Sequence, residues 1–134
     1  MFIFEAEQKA YNIGGVMFGG QPGEYPTVLS ASIFYLGDKL ILDEQAGEFD
    51  REKAYEVVEA MAEVCAKAKV PLIIDMIGGS PKVMANYVEW IAPTGLPFFI
   101  DGTTAKVRLA GARKAAELGL QDRCVFNSIG PETG

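Results

Sequence analysis

Four runs of apolar residues along the chain predict β-strands. The first is rich in β-branched and aromatic residues, and the other three each close on a polar side chain; together they cover residues 27–35, 71–75, 97–101 and 123–127. All four runs are continuous rather than alternating. This pattern is typical of strands buried on both faces, as in a parallel sheet covered by helices.

Helical periodicity fills the intervals between these strands. Apolar residues recur at steps of three and four after Asp50, after Ser80, and after Thr103 or Thr104, and each of these polar residues can cap the first turn of a helix. In the first helix, the stripe that we expect to be buried comprises Ala54, Val57, Val58, Met61, Val64, Cys65 and Ala68. The alternation of strand and helix predicts an α/β fold with a parallel sheet.

The N-terminal segment, residues 1–26, follows a different pattern. Gly14 and Gly15 separate the short runs 9–13 and 16–18, which predicts a β-hairpin because glycine readily adopts the positive φ of a tight turn. The glycine-rich loop 19–23 lacks the lysine of a P-loop, so we interpret it as a structural turn. We therefore divide the chain into an N-terminal hairpin and loop, residues 1–26, and an α/β portion, residues 27–134.

Polar residues close three successive strands at a constant interval. The spacing in sequence from Asp75 to Asp101 equals the spacing from Asp101 to Asn127. Such a repeat suits a (β/α)8 barrel and also a doubly wound sheet, although the glycine fingerprint of the second fold is missing. In both folds the carboxyl ends of the strands meet at one edge, so we expect the three side chains to line one cleft. Two carboxylates and an amide suit a flat heterocycle such as a pterin, and loop entry or helix capping is the alternative role.

Composition restricts the chemistry available to such a cleft. The 134 residues include no histidine, which excludes a Ser-His-Asp triad or a His-ligated metal site built from this sequence, and we expect no metal. The net charge of −6 argues against nucleic-acid binding and against docking on anionic lipid. Cys65 and Cys124 form no CxxC pattern, which favours reduced thiols and a cytoplasmic location. No apolar run has the length of a membrane span, and no signal peptide is indicated.

Several motifs resemble those of a known family. The stretch GGVMFGGQPGEYPTVLSASIFY (14–35), together with PFFIDGT (97–103), VRLAGA (107–112) and VFNSI (125–129), resembles the H subunit family of tetrahydromethanopterin S-methyltransferase. The resemblance covers most of the chain in order, and it implies a relation to methyltetrahydrofolate:corrinoid methyltransferases and dihydropteroate synthases. These are pterin-binding TIM barrels. The implied fold is therefore the TIM (β/α)8-barrel type, with this chain supplying the N-terminal half: the hairpin and about four parallel strands with helices.

The resemblance also implies a reaction and its residues. A methyl group would move between N5 of a reduced pterin, either tetrahydromethanopterin or tetrahydrofolate, and the cobalt of a corrinoid (cobalamin) carried by a separate protein. Asp101 and Asn127 match the family's pterin-binding positions, Asp75 matches a second-strand polar position, and Ser128 is a neighbour. Asn127 would be catalytic, because an amide at N5 can stabilise the charge that develops there. A homodimer, and further subunits of a methyltransferase complex at which the protein is peripheral to a membrane, are also expected by analogy.

Two other functions stay open. The chain could be a non-catalytic barrel subunit that scaffolds a corrinoid methyltransferase complex, or a pterin enzyme of the dihydropteroate synthase type. The latter requires basic residues for a pyrophosphate group; the candidates, Arg108 and Arg113, fall on a predicted helix, where arginine is usually exposed. Because no helix follows the last predicted strand, we expect the chain to be a fragment of a larger barrel.

Overall fold

The computed structural model describes residues 1–133. Gly134, the last residue of the predicted α/β portion, therefore lies outside the described residues. Short 3-10 turns occur at Ala92–Thr94, Gln121–Arg123 and Pro131–Thr133. The longer elements are β1 (Ala10–Ile13), β2 (Val16–Gly19), β3 (Leu29–Ile33), β4 (Ile41–Asp43), β5 (Glu48–Phe49), α1 (Arg51–Ala68), β6 (Leu72–Gly78), α2 (Pro81–Ile91), β7 (Phe98–Gly102), α3 (Ala105–Glu117) and β8 (Cys124–Asn127).

The main sheet is parallel, and the order of its strands in space is their order in the chain: β3, β6, β7, β8. The predicted α/β architecture is therefore confirmed. Each crossover connection leads to the neighbouring strand, always towards the same edge of the sheet. Because such connections are almost always right-handed, the three helices pack on one face of the sheet. The strand residues of that face, including Ile74, Met76, Phe98 and Ile100, are buried in one core with side chains of α1, α2 and α3.

The opposite face of the sheet carries no helix in the described part of the chain. Its residues on β8, Val125 and Asn127, are only half-buried, and Ser32 on β3 is exposed. The expectation that helices cover both faces is therefore wrong for residues 1–133. The continuous apolar runs arise instead because apolar residues such as Ile73 and Phe99 also occupy part of this open face.

The hairpin of β1 and β2 covers the amino-terminal end of the open face. Gly14 and Gly15 form its turn with φ values of 58° and 89°, as the sequence predicts. The Gly14 amide donates to the carbonyl of Asp122, 2.9 Å away, beside the start of β8. A cavity of about 440 Å³ separates the hairpin and the loop after it from Ile73 and Phe99 of the sheet. The division of the chain at residue 26 stays a prediction.

Helix caps lie where the sequence places them. Asp50, Ser80 and Thr104 each accept a hydrogen bond from the backbone amide three residues later, at the start of α1, α2 and α3. The buried stripe of α1 is narrower than predicted, since Val57 is 36% exposed and Val64 is 66% exposed. Only Ala54, Val58 and Cys65 are fully buried on α1.

The end of β3 is set by an aromatic cluster. The predicted strand runs to residue 35, but the sheet strand ends at Ile33 because Phe34 adopts a left-handed conformation with φ of 64°. This turns the Phe34 ring into the helix-side core, where it stacks on Tyr87 with ring centroids 3.9 Å apart. Trp90 packs edge-on against Phe34 and is 1% exposed, so it also lies in the core.

No helix among residues 1–133 is long and apolar enough to cross a membrane.

The contact of α3 with β7 predicts an unusual response to a helix-favouring substitution. A Cβ atom at Gly111 would lie 2.5 Å from Cγ2 of Ile100 and 2.8 Å from Cγ of Met84. Overpacking costs about 1–3 kcal/mol, whereas the helix propensity of alanine over glycine contributes about 1 kcal/mol. We therefore expect Gly111→Ala to lower the urea midpoint of the complete protein. Ala116→Gly, at an exposed position of the same helix, measures the propensity effect. If Gly111→Ala stabilised the protein by as much as Ala116→Gly destabilises it, the close packing at Gly111 would be contradicted.

Candidate functional site

The candidate site lies on the open face of the sheet, at the carboxyl ends of its strands. Backbone pairing places Asp101 directly opposite Asn127 of β8, and opposite Ile77 of β6. Asp75 is paired instead with Ser32 on β3 and with Phe99 on β7. Asp75 is therefore two residues, roughly 7 Å along the strand, closer to the amino end than Asp101 is.

The three predicted residues share a face but not a level. Successive side chains of a strand alternate between faces, so a displacement of two residues keeps Asp75 on the face that carries Asp101 and Asn127. The expectation that these side chains line one cleft stays a prediction. The expectation that Asp75 closes its strand is wrong, because β6 continues to Gly78. The site therefore has a deep level with Asp75 and an outer level with Asp101 and Asn127.

Asp75 is a partly desolvated carboxyl group with unused hydrogen-bonding capacity. Its Oδ2 accepts a hydrogen bond from the Ser32 hydroxyl at 3.2 Å. Its Oδ1 is buried and has no hydrogen-bond partner among the described residues. Burial raises the pKa of Asp75 above its ordinary value, and the charge of Asp101 raises this pKa further, while the Ser32 hydrogen bond opposes both effects. A buried carboxylate oxygen of this kind requires a donor, which a water molecule or a ligand can supply.

The outer level offers one carboxylate and one amide. Asp101 and Asn127 are half-buried. Within residues 1–133, no side-chain hydrogen bond to either of them is present. Burial raises the pKa of Asp101, and the nearby Arg108 guanidinium opposes that shift. Ser128 follows directly after β8 and is exposed.

The prediction that Arg108 is an exposed residue of a helix is wrong. Its side chain is 8% exposed. The Nη1 group donates to the Gly102 carbonyl at 2.9 Å, the Nη2 group forms a short ion pair with Glu132, and the guanidinium lies 5.9 Å from the centre of the Phe126 ring. Its helical spacing from Gly111 and Ala115, which are both buried, was the available signal in the sequence. Arg113 is exposed, as predicted.

A cavity of about 330 Å³ lies beside Ile77, the β6 partner of Asp101, and is not itself lined by Asp75, Asp101 or Asn127. It is lined by residues at the carboxyl ends of three strands and their loops, among them Phe34, Asp38, Glu44, Ile77, Gly79 and Thr103. Its size is in the range of small-molecule sites. A larger groove of about 570 Å³ lies on the helix side, between Tyr55 of α1 and Pro93, and does not adjoin the polar residues. We take the strand-end cavity as part of the site because parallel α/β folds bind ligands at that edge.

The side chains of the candidate site offer hydrogen-bond acceptors and an amide. Among residues 1–133, no group of three or more histidine, cysteine or acidic side chains is arranged to hold a metal ion. The cysteines Cys65 and Cys124 are unpaired thiols, the first buried and the second half-buried. The site can accept N–H donors at two depths and can offer an amide at its outer edge.

Comparisons with known proteins cover nearly the whole chain. The family model described as "Tetrahydromethanopterin S-methyltransferase MtrH subunit" matches residues 6–134. The chain is 44% identical over 130 residues to the H subunit of tetrahydromethanopterin S-methyltransferase from Methanothermobacter thermautotrophicus, an alignment that covers 96% of this chain and 42% of that protein. It is 43% identical over 131 residues to the H subunit from Methanopyrus kandleri, covering 96% and 41% respectively. For the H subunit from Methanocaldococcus jannaschii, the identity is 38% over 130 residues, covering 96% of this chain and 41% of that protein.

The chain thus spans about two fifths of the length of the curated relatives it matches. The resemblance noted from the motifs is confirmed by the match of the family model to residues 6–134. The chain belongs to the tetrahydromethanopterin S-methyltransferase MtrH subunit family.

Proposed function

We propose that the protein containing this chain transfers a methyl group between N5 of a reduced pterin and the cobalt of a corrinoid held by a separate protein. The observation that carries the proposal is the buried, unpartnered Oδ1 of Asp75, on the face that also bears Asp101 and Asn127. The names of the relatives favour tetrahydromethanopterin as the pterin. None of those names supports tetrahydrofolate.

The two levels of the site suit a planar, amide-edged ring. Asp75 offers an acceptor at the deep level, where Phe99 provides apolar surface on the same face. Asp101 offers a second acceptor at the outer level. Carboxylate oxygens that accept from ring N–H and exocyclic amine groups form charge-assisted hydrogen bonds, and these fix the orientation of the ring. In the proposed complex, Asp75 and Asp101 bind and orient the pterin, and the exposed Ser128 is a further contact.

Asn127 has the catalytic role in this proposal. Breaking the bond between N5 and the methyl group changes the charge on N5, and a positioned amide can stabilise that change in a partly desolvated site. The corrinoid cobalt would supply the nucleophile as Co(I) and become methyl-Co(III), while N5 would keep the electron pair of the broken bond and take a proton from solvent. The residues of this chain would bind, orient and shield the reacting groups. This division of labour requires no histidine.

The sheet order supports the TIM-barrel part of the proposal. A doubly wound sheet reverses its strand order and places helices on both faces, whereas here the order is sequential and the helices share one face. In the described part of the chain, β3 and β8 each have only one neighbour in this sheet. Further strands of a complete barrel would pair both edges. The chain would then form the N-terminal half of the barrel, within a cytoplasmic homodimer peripheral to a membrane-associated complex.

The arginines do not favour a dihydropteroate-synthase-like reaction. Arg108 is engaged by Glu132 and the Gly102 carbonyl, and Arg113 is exposed on α3. Neither is free on the open face to hold a pyrophosphate group.

A methyl-transfer assay tests the proposal directly. The complete protein is mixed with methyl-tetrahydromethanopterin and cob(I)alamin, methylcobalamin formation is followed by absorbance, and pterin binding is measured by calorimetry. We expect both turnover and binding. Pterin binding without turnover, even with the native corrinoid protein, would indicate the scaffolding function instead; absence of both would reject the methyltransferase proposal.

Replacing Asn127 separates catalysis from binding. For Asn127→Ala we expect kcat to fall by about 100-fold or more, as when one preorganised hydrogen-bond partner of a transition state is removed. The pterin Kd should rise by less than about tenfold, a loss in the range of one hydrogen bond. Asn12→Ala, in the hairpin at the opposite end of the sheet, is the control; because it removes the hydrogen bond that Asn12 Oδ1 accepts from the Gly15 amide, its urea midpoint is measured as well. An unchanged kcat would remove Asn127 from the catalytic role.

We expect the Asp75 carboxylate to lower the stability of the fold at neutral pH and to strengthen pterin binding. Its pKa is higher in the fold than in the unfolded chain, so the native state holds more protons between the two values and stability falls as the pH rises through that interval. Asp75→Asn removes the charge and keeps an oxygen for Ser32. We expect a higher urea midpoint at pH 7, and a gain that fades as the pH falls to the unfolded value of about 3.9. Pterin binding should weaken by about tenfold or more, because hydrogen bonds to a charged group are lost.

The control for Asp75→Asn is Asp122→Asn, the same charge change at an exposed position near the amino end of β8. We expect it to alter the free energy of unfolding by less than about 0.5 kcal/mol and to leave pterin binding unchanged. Destabilisation by Asp75→Asn at pH 7 would show that the carboxylate is needed by the fold rather than by the ligand.

A further inference from the structure

Arg108 connects three segments next to the site without lying on the open face. Its partners are the carbonyl of Gly102, the ring of Phe126 and the carboxylate of Glu132. Gly102 directly follows Asp101, and Phe126 directly precedes Asn127. Glu132 belongs to the segment that begins with Ser128. Every contact of the guanidinium is thus close in sequence to a proposed ligand-binding residue.

Stability alone is a weak reason for this arrangement. A buried guanidinium carries a large desolvation cost, and replacing a buried ion pair by apolar residues is often neutral or stabilising. Here the Nε group of Arg108 is buried and has no hydrogen-bond partner among the described residues, while Glu132 is 54% exposed. The desolvation cost of the guanidinium is therefore incompletely offset. Its planar fork nevertheless fixes the directions of its hydrogen bonds, which an apolar side chain cannot do.

We propose that Arg108 is a positioning residue for methyl transfer: it holds the carboxyl ends of β7 and β8 and the segment 128–132 in one arrangement, so that Asp101 and Asn127 contact the same ligand. It acts from the helix side, through Gly102, Phe126 and Glu132, and does not touch the ligand. The inference rests on the proposed function and adds a residue to it. Glu132 is its partner in holding the segment after β8.

The central experiment compares two arginines of the same helix. Arg108→Gln and Arg113→Gln are made in the complete protein, and kcat, KM, pterin Kd and the thermal midpoint are measured for each. Misplacement of reacting groups by about 1 Å costs on the order of 100-fold in rate, so we expect kcat of Arg108→Gln to fall about 100-fold. Its pterin Kd should rise less than about tenfold, as for one lost hydrogen bond. Arg113 is exposed, so Arg113→Gln should match the wild type.

The pH dependence of pterin binding distinguishes charge from geometry. The charged groups around Asp101 are Asp75 on β6 and Arg108 on α3, with Glu132 behind Arg108. Arg108 opposes the rise in the pKa of Asp101, so in Arg108→Gln the loss of binding on acidification should begin at a higher pH. Arg108→Lys retains the charge but loses the fork. It should restore the pH dependence and leave kcat low.

Glu132→Gln keeps the test decisive if Arg108→Gln does not fold. Glu132 is the exposed partner of the ion pair, so this substitution weakens the pair without leaving a cavity in the core. We expect kcat to fall about tenfold, the effect of losing charge assistance in one hydrogen bond. Where both single variants fold, the double variant should be no slower than Arg108→Gln, because the two residues act as one unit.

The outcomes separate the inference from the proposed function. A wild type that neither binds pterin nor transfers methyl rejects both. An active wild type with Arg108→Gln indistinguishable from Arg113→Gln rejects the positioning role alone. The positioning role is also rejected if Arg108→Gln loses activity only because part of the protein is unfolded, so that kcat per titrated pterin site equals that of the wild type. An unchanged kcat in Glu132→Gln also overturns the role of the pair.

Discussion

The sequential order of the parallel sheet is the constraint on which the rest of the structure depends. Each right-handed crossover leads to the next strand on the same side, so α1, α2 and α3 share one face. The other face carries Asp75, Asp101 and Asn127 beside apolar residues such as Ile73 and Phe99. The helices approach closely where glycine allows it: a Cβ atom at Gly78 or Gly102 would meet Val107 of α3. With the hairpin at the amino ends, the open face is left accessible at the carboxyl ends of the strands.

The two faces have opposite energetic roles. The helix side buries the aromatic side chains of Phe34, Tyr87 and Trp90, which are at most 1% exposed and supply the hydrophobic stabilisation of this part of the molecule. The open face does the reverse, because Asp75 and Asp101 are partly desolvated without a full set of donors. Such groups destabilise the free protein and bind a donor ligand more strongly than solvated carboxylates would. The buried apolar core on the helix side therefore offsets the cost of the partly desolvated carboxylates on the open face.

The sequence predicted helix caps and the hairpin turn well, but it predicted the end of β3 and the buried surface of α1 less well. The caps at Asp50 and Ser80 and the Gly14–Gly15 turn depend on contacts within four residues, so short motifs suffice to predict them. The end of β3 depends on Phe34 packing against Tyr87, which is distant in the chain. The buried stripe of α1 is narrow for a similar reason, since the surface it packs on is formed by other elements. No local pattern contains that information.

By itself, the sequence determined the order of the main-sheet strands and the three helices, the family, and the presence of Asp75, Asp101 and Asn127 on strands of one sheet. The antiparallel pair of β4 and β5 appears only in the structure. The tertiary structure decided their depth: Asp101 pairs with Asn127 on β8, but its partner on β6 is Ile77 and not Asp75. Equal sequence intervals therefore correspond to unequal levels, because register is set by pairing between strands and not by spacing along one chain. Tertiary packing likewise buried Arg108, since Gly102, Phe126 and Glu132 surround it only after the strands have assembled.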